Sequence, residues 1–463
     1  MSQATPARRM GMNIFDESKP MWQILLIFLI PLMISNILQS ASQTFASIFL
    51  GRMIGVNALA AVSAVFPVIF LLFSFLIGIA SGSTVLIGQA YGAGDQHRVK
   101  KVAGTVLGAT MTFAIIVAIV GTVFAPDMLK LLGTPSSILA QADAYTRVVF
   151  LTAPILFPYL VYTTFLRGVG DSRTPLWFLI VSTILSIFFT PAFIQGWFGL
   201  PHLGVVSAAV SGTIANGIGL VGLLVLLARQ RSPLRFDLEM ARDMVVDPAI
   251  LWTVMRIGVA TGIQVVMVSI AEIAIITFVN HYGARATAAY GAVNQIVAYV
   301  QFPAISIGIA ASIFGAQCIG ARREDKLGSV VRSAVTLNYV VGGVLIVLVY
   351  LLAYPLLEMF LTDMPTVRIA HELLMITLWS YLIFGNSAVI SGVMRSSGTV
   401  LWPTINGLIG IWVFEVPTAY ICMRYFGLAG VWVGYPAYYC FTCLAQFIYY
   451  ELFWKKKTHE RLV

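Results

Sequence analysis

From Trp22 to Trp454 the chain is a succession of apolar stretches, each of about 20 residues or more, separated by short polar interruptions. A helix of that length crosses roughly 30 Å of hydrocarbon, where only a segment that satisfies its own backbone hydrogen bonds is stable. Twelve such stretches are read, near 22–50, 56–82, 100–124, 138–165, 175–196, 203–228, 250–280, 286–314, 328–353, 367–393, 400–423 and 428–453. The expected fold class is therefore an all-α membrane protein with twelve transmembrane helices. Composition agrees, since only 10% of residues are charged against roughly a quarter in soluble domains. The first twenty residues lack an apolar core with a small-residue cleavage site and are expected to form a tail rather than a leader.

The net charge of +9 raises a nucleic-acid reading, but its placement argues for lipid. With the N-terminus inside, all but six of the 28 Lys and Arg residues fall on the inner side; the exceptions are Arg52, Lys130, Arg147, Arg285, Arg368 and Arg424. That asymmetry orients a multi-pass protein with both termini cytoplasmic, as in a bacterial-type inner membrane. No nucleic-acid partner is expected, and the chain is expected to act as a monomer. The four cysteines are scattered in or beside apolar spans. Cys440 and Cys443 form a CxxC without a second pair, which reads as small packing residues.

Compared with itself at a shift of 228 residues, the chain repeats. "GQAYGAG" from Gly88 lies over "AQCIGAR" from Ala316, Arg167 over Arg395, Gly170 over Gly398 and Pro175 over Pro403. Six spans are an even number, so both copies enter the membrane from the same side. The expected organisation is a tail (1–21), a six-helix bundle (22–228), a linker (229–249), a second six-helix bundle (250–453) and a tail (454–463). Paired bundles of this kind enclose a central cavity and rock about it. The charges of the linker, "RQRSPLRFDLEMARDMVVDP", are expected to be solvated.

"FLGRMIG" after the first span, "GQAYGAGD" after the second and "LRGVGDSRTP" after the fourth, with the weaker echoes "AQCIGAR" and "MRSSGTVLWP", resemble the motifs of the multidrug and toxic compound extrusion (MATE) transporters. The resemblance covers nearly the whole chain. It implies export of cationic or amphipathic compounds in exchange for an inward H+ or Na+, with no cofactor. The chain also departs from the family. Many members carry an Asp on the first helix where Ala46 stands here, and an Asn and Asp-Pro on the fifth where this chain has Ser186, Thr190 and Pro191. No ion site is expected in the first half.

Two carboxylates stand clearly inside spans: Glu272 in "MVSIAEIAIITFV" and Glu415 in "WVFEVPTAY". An ionised Glu in hydrocarbon is penalised by several kcal/mol, so it pairs, hydrates or takes up a proton. Deprotonated, it attracts Na+ or an organic cation, and mutual exclusion at one charge is the simplest chemistry of antiport. Both residues are expected to couple the ion, H+ or Na+, with Na+ at Glu272 the one metal considered. A structural hydrogen bond is the competing role, an even match for Glu415 because Pro417 beside it frees backbone groups. Family members with an ion site in this half also use an acid on the tenth helix, where this chain has Gly385 and Asn386.

Polar stripes suggest a wet cavity. On the first span Asn36, Gln39, Gln43 and Ser47 recur at helical spacing. Gln264 and Glu272 lie on the seventh span, Tyr290, Asn294 and Gln301 on the eighth, and Asn386 on the tenth. Pro31, Pro303 and Pro417 are expected to kink their helices and serve shape change. A flippase for a lipid-linked or amphipathic substrate would share this plan. An intramembrane enzyme is disfavoured: the five histidines sit at loops or ends, and neither HExxH nor GxxxxGK[ST] occurs.

Overall fold

The computed structural model describes residues 14–462; residues 1–13 of the expected N-terminal tail, and Val463, lie outside the described residues. Among the described residues every regular element is a helix. The first half comprises α1 (Met21–Phe49), α2 (Val56–Gly92), α3 (Gln96–Ile116), α4 (Ser136–Gly168), α5 (Arg173–Gln195) and α6 (Ser207–Arg229). A short α7 (Leu238–Asp243) lies in the linker. The second half comprises α8 (Pro248–Asn280), α9 (Ala284–Gly320), α10 (Leu327–Leu337), α11 (Met364–Thr377), α12 (Ser380–Ser396), α13 (Leu401–Ile409), α14 (Val416–Phe426) and α15 (Gly434–Tyr449). The helix α3 continues through a π turn, Val117–Gly121, to Leu131, and α10 through Asn338–Gly342 to Leu351.

Among the described residues ten helices are long and apolar enough to cross a membrane. The tenth expected span is instead the bent pair α11–α12, which turns by 45°. The bend is chemically provided for. Tyr350 accepts the amide of Trp379 with its hydroxyl (3.1 Å), and Tyr381 and Leu382 bond back to Leu378 and Trp379, so three amides at the break keep partners, as a span in lipid requires. The last expected span is likewise composite, with Leu428–Trp432, α15 and a π turn, Tyr450–Trp454, in series. Here Gly434 lets the chain pass close to α14's entry: a Cβ on it would lie 2.8 Å from the Glu415 carbonyl. By contrast α1 and α9 run unbroken past Pro31 and Pro303.

The chain divides into two compact units. The described part of one is 34–256, and the other is 14–33 with 257–462. In the first unit α2 packs on α4 and α5 on α6; in the second α9 packs along α12. The α9–α12 contact is made backbone to backbone. A Cβ on Gly392 would meet the Gly308 carbonyl oxygen at 2.3 Å, and one on Gly308 would meet the Ala388 carbonyl at 3.0 Å. Small residues permit such approach, and in lipid that dispersion contact is a main source of helix association.

The linker's charged residues keep solvent exposure as expected, none of them being buried, but the segment is docked on the first unit rather than free. Asp237 caps α7 by accepting the Met240 amide at 3.0 Å. Met240 is wholly buried and takes a hydrogen bond from Tyr162 of α4. The Lys100 ammonium of α3, its side chain only 7% exposed, sits 2.7 Å from Asp237 and 2.8 Å from Glu239. The glycines Gly104 and Gly108 of α3 admit the backbone of Asp243 and Met244. Burial alone would raise the Asp237 carboxyl, but Lys100, the Met240 amide and Arg235 outweigh it and hold the group below the usual carboxylate range. A depressed carboxylate contributes stability above its unfolded value of about 3.9 and loses it as pH falls through the folded value, so this clamp holds at neutral pH and releases only in strong acid. Lys100→Met should weaken the docking by about 2 kcal/mol, less than the 3–5 of a fully buried pair because Glu239 is half exposed. Limited proteolysis between 229 and 247 should then become rapid, and unchanged resistance would show that the apolar contacts suffice.

Candidate functional site

The site is built where α8, α9 and α15 of the second unit meet. Glu272 lies in mid-α8 and is half-buried. Tyr290 of α9, 4% exposed, donates its hydroxyl to Glu272 Oε2. Tyr435, in the first turn of α15, donates to the same oxygen at 3.0 Å, and the two phenol oxygens are 2.9 Å apart. Trp432 is buried and stacks on the Tyr290 ring at 6.0 Å with the planes 7° apart. Asn294, one turn along α9, adjoins the Tyr290 hydroxyl.

Helix α8 can carry this group because its apolar residues Ala271, Ile275 and Val279 point into the second unit's core, at the i, i+4, i+8 spacing of one helix face. Glu272 sits at the edge of that face. Tyr435 is presented by "YPAYY", in which Tyr435, Tyr438 and Tyr439 recur at i, i+3, i+4 and so share a side of α15. Tyr439 packs on Tyr381 of α12, with ring centroids 5.3 Å apart, and on Tyr438 at 5.2 Å. Gln301 of α9 adjoins the Tyr381 hydroxyl.

Glu415 is 4% exposed and ends the π turn Gly410–Glu415 that precedes α14. The turn has a local cause. Pro417 has no amide hydrogen and its ring crowds the carbonyl four residues back, and a widened turn relieves that crowding. Glu415 stands within electrostatic reach of Glu272 and of Tyr438 and Tyr439. Five tyrosines thus surround two carboxylates.

The remaining expected site residues have different settings. Gln264 lies over α13, its amide nitrogen 3.1 Å from where a Cβ on Gly407 would stand. Asn386 is bound between helices: it accepts from Asn338 at 3.0 Å and donates to Tyr339 at 2.8 Å. Asn338 also donates to the Leu382 carbonyl, and it occupies the space a side chain at Gly385 would need. Asn36 is half-buried, while Gln39 and Gln43 are exposed on α1. Tyr435, Tyr381 and Trp432 were not among the residues expected from sequence. The signal available for Tyr435 was the tyrosine run of "YPAYY", unusual inside an apolar span.

The MatE family model matches residues 31–192 and again 260–421, so the second match begins 229 residues after the first, within one residue of the repeat read from the sequence. The chain is 48% identical over 450 residues to the probable multidrug resistance protein YoeA of Bacillus subtilis, covering 96% of this chain and 97% of that one. It is 26% identical to the probable multidrug resistance protein YpnP of the same organism, over 92% and 94% of the two chains. In fold it is similar to a solved structure described as the outward-facing conformation of a multidrug resistance MATE family transporter, with a TM-score of 0.85 and 20% identity over 93% and 95% of the chains. Two matched repeats, a relative alike from end to end and a shared helical fold agree: this multi-pass membrane protein belongs to the multidrug and toxic compound extrusion family.

Proposed function

We propose that this protein is a secondary active antiporter of the multidrug efflux type, not an enzyme. It exports cationic or amphipathic compounds in exchange for H+ or Na+ by alternating access of two bundles, 22–228 and 250–453, joined by the linker 229–249. The exchange runs through Glu272 and Glu415. The observation that carries this reading is Glu272 itself, a carboxylate in mid-span that accepts two phenol hydroxyls and lies within reach of a second, buried carboxylate. In a medium of low dielectric one negative charge holds one cation strongly, so drug and ion compete for it. A membrane potential adds roughly 2.3 kcal/mol per charge per 100 mV.

The relatives' description as multidrug resistance proteins supports the substrate class. The polar faces of α1, α8 and α9 line the path in this reading, with Asn386 set between helices beside it. Pro31 and Pro303 supply compliance in α1 and α9. The protein works as a monomer in a bacterial inner membrane with both termini cytoplasmic.

Efflux of a fluorescent organic cation from vesicles under an imposed pH or sodium gradient tests this. Wild type should export against the cation's own gradient only while one ion gradient is maintained, and Glu415→Gln should weaken that dependence. Equal efflux after both gradients are collapsed would end the antiport reading.

A further inference from the structure

We propose that the cleft between the segment before α1 and the turn before α10 is a binding site for the headgroup of an anionic phospholipid. The site stands apart from the antiport reading and shares with it only the inward placement of the N-terminus. The cleft, of about 290 Å3, is lined by residues from 14–24 and 323–329 and so lies wholly within the second unit. Its floor is apolar. Ile14 is 3% exposed and Ile24 2%, and Phe15 and Met21 line it with them. Its rim is charged, with Lys19, Arg323 and Lys326 set among Asp16 and Glu17.

Three of these charges are already engaged. Asp16 accepts the Ser18 amide at 3.0 Å and the Ser18 hydroxyl at 2.6 Å, which folds the segment into a turn. Arg323 lies over the Phe15 ring, 5.8 Å from its centroid. It bonds both oxygens of Asp325, at 3.1 and 3.3 Å, and stands within electrostatic reach of Glu17. Lys19 and Lys326 remain. Neither makes an ion pair among the described residues, so two ammonium groups on one cleft keep donors for a ligand. Ser329 adds a hydroxyl to the same wall.

Depth and chemistry both point to lipid. The occupant must offer apolar surface to the floor and negative charge to the rim, and an anionic phospholipid offers both. The cleft also lies at the level of the headgroups: α1 begins at Met21, and Trp22 beside it is 48% exposed, where an interfacial anchor belongs. Basic recesses between spans on the cytoplasmic side are seats for anionic headgroups. The chain's own residues 1–13 are a poorer match, since they carry Arg8 and Arg9 and no acid. A phosphate held here ties the residues before α1 to the first turn of α10 and fixes the level at which α1 enters the bilayer.

The amides of Ser18 and Lys19 report occupancy, because local bonds to Asp16 hold them and such turns open easily. Their hydrogen exchange is followed by mass spectrometry on the full chain in nanodiscs of phosphatidylcholine, with and without phosphatidylglycerol, and in phosphatidylcholine with added inorganic phosphate. Phosphatidylglycerol should slow exchange by about fivefold or more, and the other two conditions should not. Lys19→Gln and Lys326→Gln should each raise the phosphatidylglycerol fraction needed for half of that effect by about fivefold, and the double variant should abolish it. Lys456→Gln combined with Lys457→Gln removes the same charge from the exposed C-terminal tail and should leave the effect intact. Equal loss in this control would reduce the effect to general surface attraction and overturn the inference. So would the absence of any slowing by phosphatidylglycerol, or slowing by inorganic phosphate alone, which assigns a free anion. Exchange already as slow in phosphatidylcholine would assign the cleft to residues 1–13 and overturn it too. None of these readouts involves transport, so the site and the antiport reading fail separately.

Discussion

Glu272→Gln is expected to lower gradient-driven export by about a hundredfold or more without unfolding the protein. A cation about 4 Å from a carboxylate gains about 4 kcal/mol at an effective dielectric of about 20, and about 1.4 kcal/mol is a factor of ten. Loss of the charge therefore removes between two and three decades of cation preference. The amide preserves much else, for its carbonyl oxygen still accepts from Tyr290 and Tyr435, which bond Glu272 Oε2, and it fills nearly the same volume. The fold should consequently survive, which thermal unfolding in detergent checks independently. Initial rates of dye efflux from vesicles measure the effect. A variant that folds and still exports within threefold of wild type would move the coupling charge elsewhere, with Glu415 the next carboxylate to test.

Gly392→Val is expected to abolish assembly of the second unit's helix core. The Cβ of any residue at 392 would stand 2.3 Å from the Gly308 carbonyl oxygen, well inside contact distance. The obstacle is backbone in mid-α9, which cannot swing aside as a side chain does. Overpacking a core costs about 1–3 kcal/mol where side chains can adjust, and here the helices themselves must separate, so about 3 kcal/mol is a lower figure. Separation would also strip contact from Gly308, which packs on the Ala388 carbonyl. Size-exclusion profiles should show aggregate in place of a monodisperse peak. Gly328→Ala is the control: nothing lies within 4 Å of a Cβ there, and alanine favours helix over glycine by about 1 kcal/mol, so that variant should be neutral or slightly stabilised. Equal behaviour of the two variants would show that α9 and α12 have slack.

The amount of structure legible in advance follows the range of the interactions. Apolar length marked the spans because each helix satisfies its own backbone bonds, and the repeat seen at Gly88 and Ala316 recurs as the two family matches. The breaks in the tenth and twelfth spans were not legible. They depend on a hydroxyl of Tyr350 supplied from elsewhere in the chain and on the close pass of Gly434 by Glu415. The docking of the linker was not legible for a similar reason. Its charges read as solvated and do keep exposure, while Lys100, more than 130 positions earlier, ties Asp237 and Glu239 to α3.

At the candidate site Glu272 announced itself, since a lone carboxylate in an apolar run is costly wherever the helix lies. Its partners did not. Tyr435 stands 163 positions from Glu272, and a tyrosine near a span's end is ordinarily an interfacial anchor. Asn386 was expected to line the cavity as Gln264 was, and its binding to Asn338 and Tyr339 appears only once α12 is laid beside the end of α10.

The amino-acid sequence by itself determined that this chain lives in a membrane, that it is helical, that it is doubled, and that two acids lie where acids are expensive. These are properties of single segments, set by transfer energy and helical periodicity. Only the tertiary structure decided that Glu272 shares one oxygen with two phenols and that Glu415 stands within its field. Such contacts join helices far apart in the chain, and their geometry is set by how backbones pack at glycines and turn at π segments.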